Sequence, residues 1–243
     1  MATWLDEIGY YDDLKNQKLR VLVYGAMGAG KTQFAGTFPK PVFLDTDKGG
    51  MTLRKLHVPF IPCYETRGIV KRLFDILKSA ETHTGPFAAD GEFADRDTIV
   101  LDSVSVFSNT ALSDYILGIG KDPKETKASF DEYGKLLNTS VELGKTLKRL
   151  STNYNVVVTA LVDTNKDENT GTMYGGPLLV GQYRQLIGAD FDEVYYLVTE
   201  GSKDAVRHVA YTSKTTIYDA KTRLALPYRI DNPHADMLFK ALA

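Results

Sequence analysis

Three observations predict an α/β protein with a mainly parallel central sheet, helices on both faces and antiparallel strands at its C-terminal end. Short apolar runs at 20–24, 41–45, 57–63, 98–102 and 155–161 alternate with helix-patterned segments, the arrangement that buries a parallel sheet between two helical layers. A glycine-rich loop, 25–32, joins the first run to a helix start. Later runs at 193–199, 207–211 and about 215–218 follow one another too closely for crossovers, so they are read as antiparallel.

The elements follow in order. Residues 1–17 form an N-terminal arm, with Trp4, Leu5 and Ile8 at rough helical spacing, read as a candidate contact between protomers. Residues 18–243 form the core. The helix after the glycine-rich loop ends before Pro39. Residues 67–82 are amphipathic, with Ile69, Val70, Leu73, Phe74, Ile76 and Leu77 on one side. A polar loop at 85–97 leads to the strand at 98–102, after which Ser103 caps a helix to about 117. A long helix spans 129–150. A polar loop is expected at 163–177, helical turns at 180–188.

At 243 residues, with 43% hydrophobic residues, the chain fits one large domain. No run approaches the roughly 18 apolar residues of a membrane span. The acidic start lacks a basic, then apolar, leader pattern. The single cysteine, Cys63, lies in an apolar strand pattern and excludes an internal disulfide. These features read as a cytoplasmic protein. Net charge is −2, so nucleic acid could be met only through local patches. One such stretch, 203–229, holds Lys203, Arg207, Lys214, Lys221, Arg223 and Arg229 against Asp204 and Asp219; from charge alone it reads as a solvated face. The four histidines show no metal-ligand spacing.

The chemistry starts at Gly25-Ala26-Met27-Gly28-Ala29-Gly30-Lys31-Thr32, which fits G-x-x-x-x-G-K-[ST]. Such a loop wraps its backbone N–H groups around a polyphosphate, and side chains would obstruct that approach. Lys31 reaches the β- and γ-phosphates, Thr32 can ligate Mg²⁺, and Gln33 opens the following helix. Leu101-Asp102 ends a buried strand in an acid, the second element of a nucleotide site, placed to hold Mg²⁺. Ser103 follows where many ATPases have a glutamate, so either a water-activating base comes from elsewhere or hydrolysis is slow. Phe43-Leu44-Asp45-Thr46-Asp47 supplies two acids two residues apart, on one side of the chain if the strand persists. Asp47 is the candidate catalytic acid; the competing reading is a turn aspartate capping 48–50.

Four segments in order, 25–32, 43–50, 99–103 and 156–176, resemble the RecA-type recombination ATPases. The chain is most similar to the phage Sak-type single-strand annealing proteins, often labelled AAA-type ATP-binding proteins. The shared features are an acid–Gly–Gly turn, Tyr133-Gly134 at the start of the long helix, and Ala220-Lys221-Thr222-Arg223 followed by Leu226-Pro227. The resemblance covers about 18–230. It implies a RecA-like P-loop ATPase using ATP and Mg²⁺, with slow hydrolysis dependent on DNA or assembly. Its partners would be single-stranded DNA, further copies of the chain in a ring or filament, and a single-strand DNA-binding protein, in the host cytoplasm of a phage. Asp47 occupies the family's catalytic-acid position, as Asp where Glu is usual. The loop 163–177, with Asn165, Lys166 and Tyr174, would meet DNA, or else sense the nucleotide. Thr159 is the candidate γ-phosphate sensor. Lys221 and Arg223 would complete a neighbour's site as trans cations, or else form a surface pair.

Two other function classes remain open on the residues alone. One is a P-loop small-molecule kinase, although 85–97 holds one arginine, Arg96, and many acids, a poor lid. The other is a slow or non-hydrolysing nucleotide switch within an assembly.

Overall fold

The computed structural model describes residues 18–166, 168, 171–201 and 205–242; the expected arm at 1–17 lies outside them. Six strands run parallel: β1 (Arg20–Gly25), β2 (Pro41–Asp45), β3 (Phe60–Pro62), β4 (Thr98–Asp102), β5 (Asn155–Lys166) and β7 (Glu193–Glu200). Three are antiparallel additions: β6 (Met173–Pro177) on β5, β8 (Arg207–Tyr211) on β7, and β9 (Arg229–Asp231) on β8. The order across the sheet is β3-β2-β4-β5-β1-β7-β8-β9. The helices are α1 (Lys31–Ala35), α2 (Ile69–Glu81), α3 (Val104–Gly118), α4 (Phe130–Leu150) and α5 (Asp236–Leu242).

Strand alternation divides the core in two. Leu22, Tyr24, Val42, Leu44, Ile99, Leu101, Val156 and Val158 face the layer of α2, α3 and α4. Val21, Val23, Phe43, Val100 and Val157 face α1 and α5 through Phe34, Phe38 and Leu238. The central strands are buried on both faces, which is why they read as continuous apolar runs rather than alternating ones. Asp102 shares the parity of Val100, so it lies on the α1 side. Local capping follows the sequence: the Ser103 hydroxyl accepts from the Val106 N–H, and Ser129 with Glu132 forms a capping box on α4.

Several expectations change. The third strand is short, Phe60–Pro62 rather than 57–63, because His57 has φ +49° and ends the preceding turn. The loop expected at 163–177 is in its described part a β-hairpin: β5 continues to Lys166, and Asn165 stands opposite Tyr174. Segment 180–188 forms two 3-10 turns, Gln182–Gln185 and Ile187–Asp190. The strand expected at 215–218 is a turn. The Thr215 hydroxyl accepts the N–H groups of Ile217 and Tyr218, and isolated bridges, Gly175–Tyr218 and Val194–Lys221, pair this part of the chain with the sheet.

Candidate nucleotide site

The carboxyl ends of β1, β2, β4 and β5 converge on one edge of the sheet. Parallel strands of an open α/β sheet deliver their functional residues to such an edge. The loop from Gly25 to Gly30 leaves β1 there, with φ +78° at Gly28 and +89° at Gly30, values that favour glycine. A Cβ at Gly25 would stand 2.1 Å from the Leu197 carbonyl oxygen of β7, so this position requires close backbone approach. Ala26, Met27 and Gly28 are exposed, Ala29 is buried, and Gln33 is exposed on the first turn of α1.

Lys31 is buried, and its Nζ donates to the Gly25 carbonyl at 3.0 Å and the Ala26 carbonyl at 2.8 Å. Burial pushes its pKa below the ordinary lysine value, while the charges of Asp102 and Asp47 oppose that shift. The Thr32 hydroxyl donates to Asp102 Oδ2 at 2.8 Å. Asp102 Oδ1 accepts from the Thr159 hydroxyl. Burial raises the Asp102 pKa; the bonds from Thr159 and Thr32 oppose it, the charge of Asp45 adds to it and Lys31 counters it. Thr159 itself is fully buried, so any effect it has on a phosphate would pass through Asp102.

Asp45 and Asp47 do not share a side, because β2 ends at Asp45 and the chain turns. Asp45 is buried; its Oδ1 accepts the N–H groups of Asp47 at 3.1 Å and Lys48 at 2.9 Å, and its Oδ2 accepts from the Tyr64 hydroxyl at 2.7 Å. That set of bonds makes Asp45 the organiser of the turn. Asp47 is exposed, and its Oδ1 accepts the Gly49 N–H at 2.8 Å. Its pKa is raised, first by desolvation within the turn, then by the charge of Asp102, with Asp45 adding; the Gly49 N–H and Lys31 pull it down. The charges of Asp102 and Lys31 thus both act on the Asp47 carboxyl.

Thr46, between the two acids, was not legible as functional. Its N–H donates to the Asp102 carbonyl at 2.8 Å, its hydroxyl donates to the Ser103 carbonyl, and it accepts the Ser103 N–H, both at 2.9 Å. The Asp102–Ser103 peptide held by these bonds is cis. Thr46 thus fastens the end of β2 to the end of β4.

The remaining candidates lie elsewhere. Arg223 donates to Asp192 Oδ1 at 2.8 Å, where Arg20 also binds, and Lys221 bridges to Val194. Burial lowers the Lys221 pKa, and Arg223 adds to the effect. Both cations sit at the amino ends of β1 and β7, a strand length of roughly 17–20 Å from the phosphate loop. Within one copy they do not meet it. Asn165, Lys166 and Tyr174 are brought together on the β5–β6 hairpin, with Tyr174 51% exposed. Asp163 at its base accepts from Asn165 at 2.8 Å and from Arg184 at 3.2 Å.

Thr32 and Asp102 offer two adjacent oxygens suited to a small hard cation. Among the described residues no group of three or more His, Cys, Asp or Glu could hold a metal. A Mg²⁺ here would therefore take most of its ligands from phosphate and water, the coordination this ion favours in nucleotide sites.

A family model described as an AAA domain matches residues 17–224. Among solved structures, a KaiC-like protein from the hyperthermophilic archaeon Pyrococcus horikoshii OT3 aligns with 12% identity and a TM-score of 0.41, over 84% of each chain. The RadB recombinase aligns with 14% identity and a TM-score of 0.45, over 88% of this chain and 86% of that one. No curated protein matches the sequence. Among the described residues no helix is long and apolar enough to cross a membrane.

Proposed function

Because the chain belongs to the AAA domain family, we propose that it is a Mg²⁺-dependent P-loop ATPase that acts on single-stranded DNA in recombination or annealing. The observation that carries the nucleotide reading is the cluster Lys31–Thr32–Asp102, drawn together from the start of α1 and the end of β4. Lys31 supplies a point charge to the β- and γ-phosphates. Thr32 and Asp102 would hold Mg²⁺, which neutralises phosphate charge when bound. Asp102 is kept in place by Thr159 and by the Thr46 clamp on its own carbonyl. In this reading Asp47, one residue past Thr46 at the end of β2, would orient water and take its proton; the coupling of its charge to Lys31 and Asp102 supports that role.

The DNA reading rests on the β5–β6 hairpin. Lys166 offers a cation and Tyr174 an exposed ring for base stacking, while Asp163 and the exposed Glu168 oppose dense phosphate binding. Phage origin and annealing are supported by the ordered motif set of the sequence. Assembly is part of the proposal, since Lys221 and Arg223 can serve a nucleotide site only across a boundary between copies. The test is ATPase rate with and without single-stranded DNA, over a range of protein concentration. Stimulation by DNA and a rate per chain that rises with concentration are expected. A rate independent of both would overturn the DNA-coupled, assembled reading.

One observation favours a second reading. A cavity of about 290 Å³ that Asp102 helps to line is walled by apolar Phe43, Leu53 and Phe60 and by the charged Lys48 and Arg54. A cavity of this kind next to the phosphate cluster suits the acceptor of a small-molecule kinase. Phosphoryl transfer to a small acceptor in place of water would support that reading.

A further inference from the structure

The outer wall of the phosphate loop is the β7–β8 hairpin. Leu197 closes on Gly25, and the Thr199 hydroxyl donates to the Gly28 carbonyl at 3.2 Å. His208 stands directly across the ladder from Thr199. Its imidazole lies against Gly30: a Cβ built there would be 2.8 Å from the ring's Cγ and Nδ1. The Nδ1 atom is buried and has no hydrogen-bond partner among the described residues. Buried polar atoms are almost always partnered, so this ring is held where it is at the expense of its own hydrogen bonding. Its position is fixed from the far side. The His208 N–H donates to Asn232 Oδ1 at 3.3 Å, and the His208 carbonyl accepts the Asn232 N–H at 2.6 Å. The chain beyond Asn232 returns to the turn just after α1, where the Ala235 N–H donates to the Thr37 hydroxyl at 2.9 Å. The path Gly30–His208–Asn232–Ala235–Thr37 thus encloses α1 and ties it to the edge of the sheet.

We propose that His208, with Thr199, is a positioning residue of the nucleotide site: it sets the place of Gly30 and couples occupancy of the phosphate loop to the β8–β9 edge. This rests on the nucleotide reading above. The contact is physical and direct. A loop that must present its N–H groups to a polyphosphate in one geometry needs a wall behind it, because small misplacements of binding groups are costly. The wall here belongs to the antiparallel addition rather than to the parallel core. Motion of Gly30 on binding is therefore passed to β8, and through Asn232 to β9.

The test combines ATP affinity, melting temperature and amide hydrogen exchange on the full chain. In the parent, ATP with Mg²⁺ should slow exchange at 207–211 and 229–232. His208→Ala opens space behind Gly30 and should weaken ATP binding about tenfold and abolish that edge protection. His208→Phe restores a ring without the orphaned nitrogen. It should bind ATP within about twofold of the parent, keep the edge response and melt at the same or a higher temperature, since removing an unsatisfied buried polar atom is neutral or stabilising. Thr199→Val, which keeps shape and loses the bond to Gly28, should bind about threefold more weakly, as expected for one modest hydrogen bond. It serves as the readout if the alanine variant does not fold. A fall in melting temperature with unchanged ATP affinity would reduce His208 to packing and overturn the proposal. So would an edge whose exchange ignores ATP. A parent that binds no ATP would instead remove the nucleotide reading on which the proposal depends.

Discussion

The two ends of the parallel sheet carry clusters of charge that are built on opposite terms. At the amino end, Asp192 binds Arg20 through Nε at 3.0 Å and Nη2 at 2.7 Å, and Arg223 at 2.8 Å. Burial alone would raise its pKa, but the hydrogen bonds and charge of Arg20, joined by Arg223, outweigh that and lower it. Beside it, Glu193 accepts from the Tyr195 hydroxyl and the Arg223 N–H. At the carboxyl end, Asp102 and Asp47 are raised and Lys31 is lowered, each mainly by desolvation. Their charges are crowded into a space where none has a full set of opposite partners. The first cluster is an interaction completed by the fold. On the proposed reading a ligand completes the second: polyphosphate at Lys31 and a divalent cation at Asp102. The same sheet thus stores stability at one end and binding potential at the other.

That comparison can be broken or sharpened by substitution. The largest effect is expected at the carboxyl end and in rate alone. Asp47→Asn should lower kcat about 100-fold, the lower bound usual for removing a general base, while KM for ATP stays close to the parent's. Steady-state kinetics reads both, and an unchanged kcat would place the water-activating group elsewhere. Asp45 would not replace it, since its bonds to Asp47, Lys48 and Tyr64 occupy it in the turn.

At the amino end the same kind of change should act on stability. Arg20→Ala leaves Asp192 buried with only the more exposed Arg223. Breaking such a pair should cost about 3 kcal/mol by chemical denaturation, with ATP affinity unaffected. A loss of ATP binding in the folded variant would show that the two ends are not separable.

Asp102→Asn should have the reverse sign. It removes a desolvated charge whose pKa is raised. The protein without nucleotide should gain about 1 kcal/mol, seen as a melting temperature higher by roughly 2–4 °C, while Mg²⁺-dependent ATP binding weakens. A drop in melting temperature would mean that the bonds from Thr32 and Thr159 matter more than the charge.

The smallest effect concerns pH. Asp192, with its folded pKa depressed, contributes stability that is present above the unfolded value of about 3.9 and lost as pH falls through the folded value. Asp102, with its folded pKa raised, carries a cost that is present at neutral pH and relieved as pH falls through its folded value. Between neutrality and about pH 4, acidification of the nucleotide-free protein should therefore relieve the carboxyl end before it weakens the amino end. In Asp102→Asn the early relief should shrink to the part that Asp47 carries, and the later acid loss should remain, as read by denaturation at stepped pH.

How much of this the sequence disclosed follows from where each signal resides. The strand at 98–102 is legible because all of Thr98–Asp102 is buried and its end is marked by an acid and a capping serine. The phosphate loop is legible because its chemistry is contiguous. β9 is not: in its three residues only Ile230 points inward, too short a stretch for any period to register. Thr215 to Tyr218 carries β-favouring residues, yet the Thr215 hydroxyl bonds the turn and overrides the propensity. The far arm of β5, Asp163 to Lys166, is polar because it forms a solvated hairpin, and so resembles a loop. Thr46 and His208 give no local signal. Their roles arise from partners, Ser103 and Gly30, brought near only by the folded sheet.

The central claim is that the Lys31–Thr32–Asp102 cluster binds ATP with Mg²⁺, and thermal denaturation with and without ATP and Mg²⁺ tests it most directly. At a hundredfold excess over Kd, binding to the folded state alone contributes about 2.7 kcal/mol, so the parent should melt roughly 5–10 °C higher. Lys31→Ala, folded and melting near the parent's unliganded temperature, should show no such rise. A parent whose melting temperature ignores ATP and Mg²⁺, or a Lys31→Ala variant that responds as fully as the parent, would contradict the account.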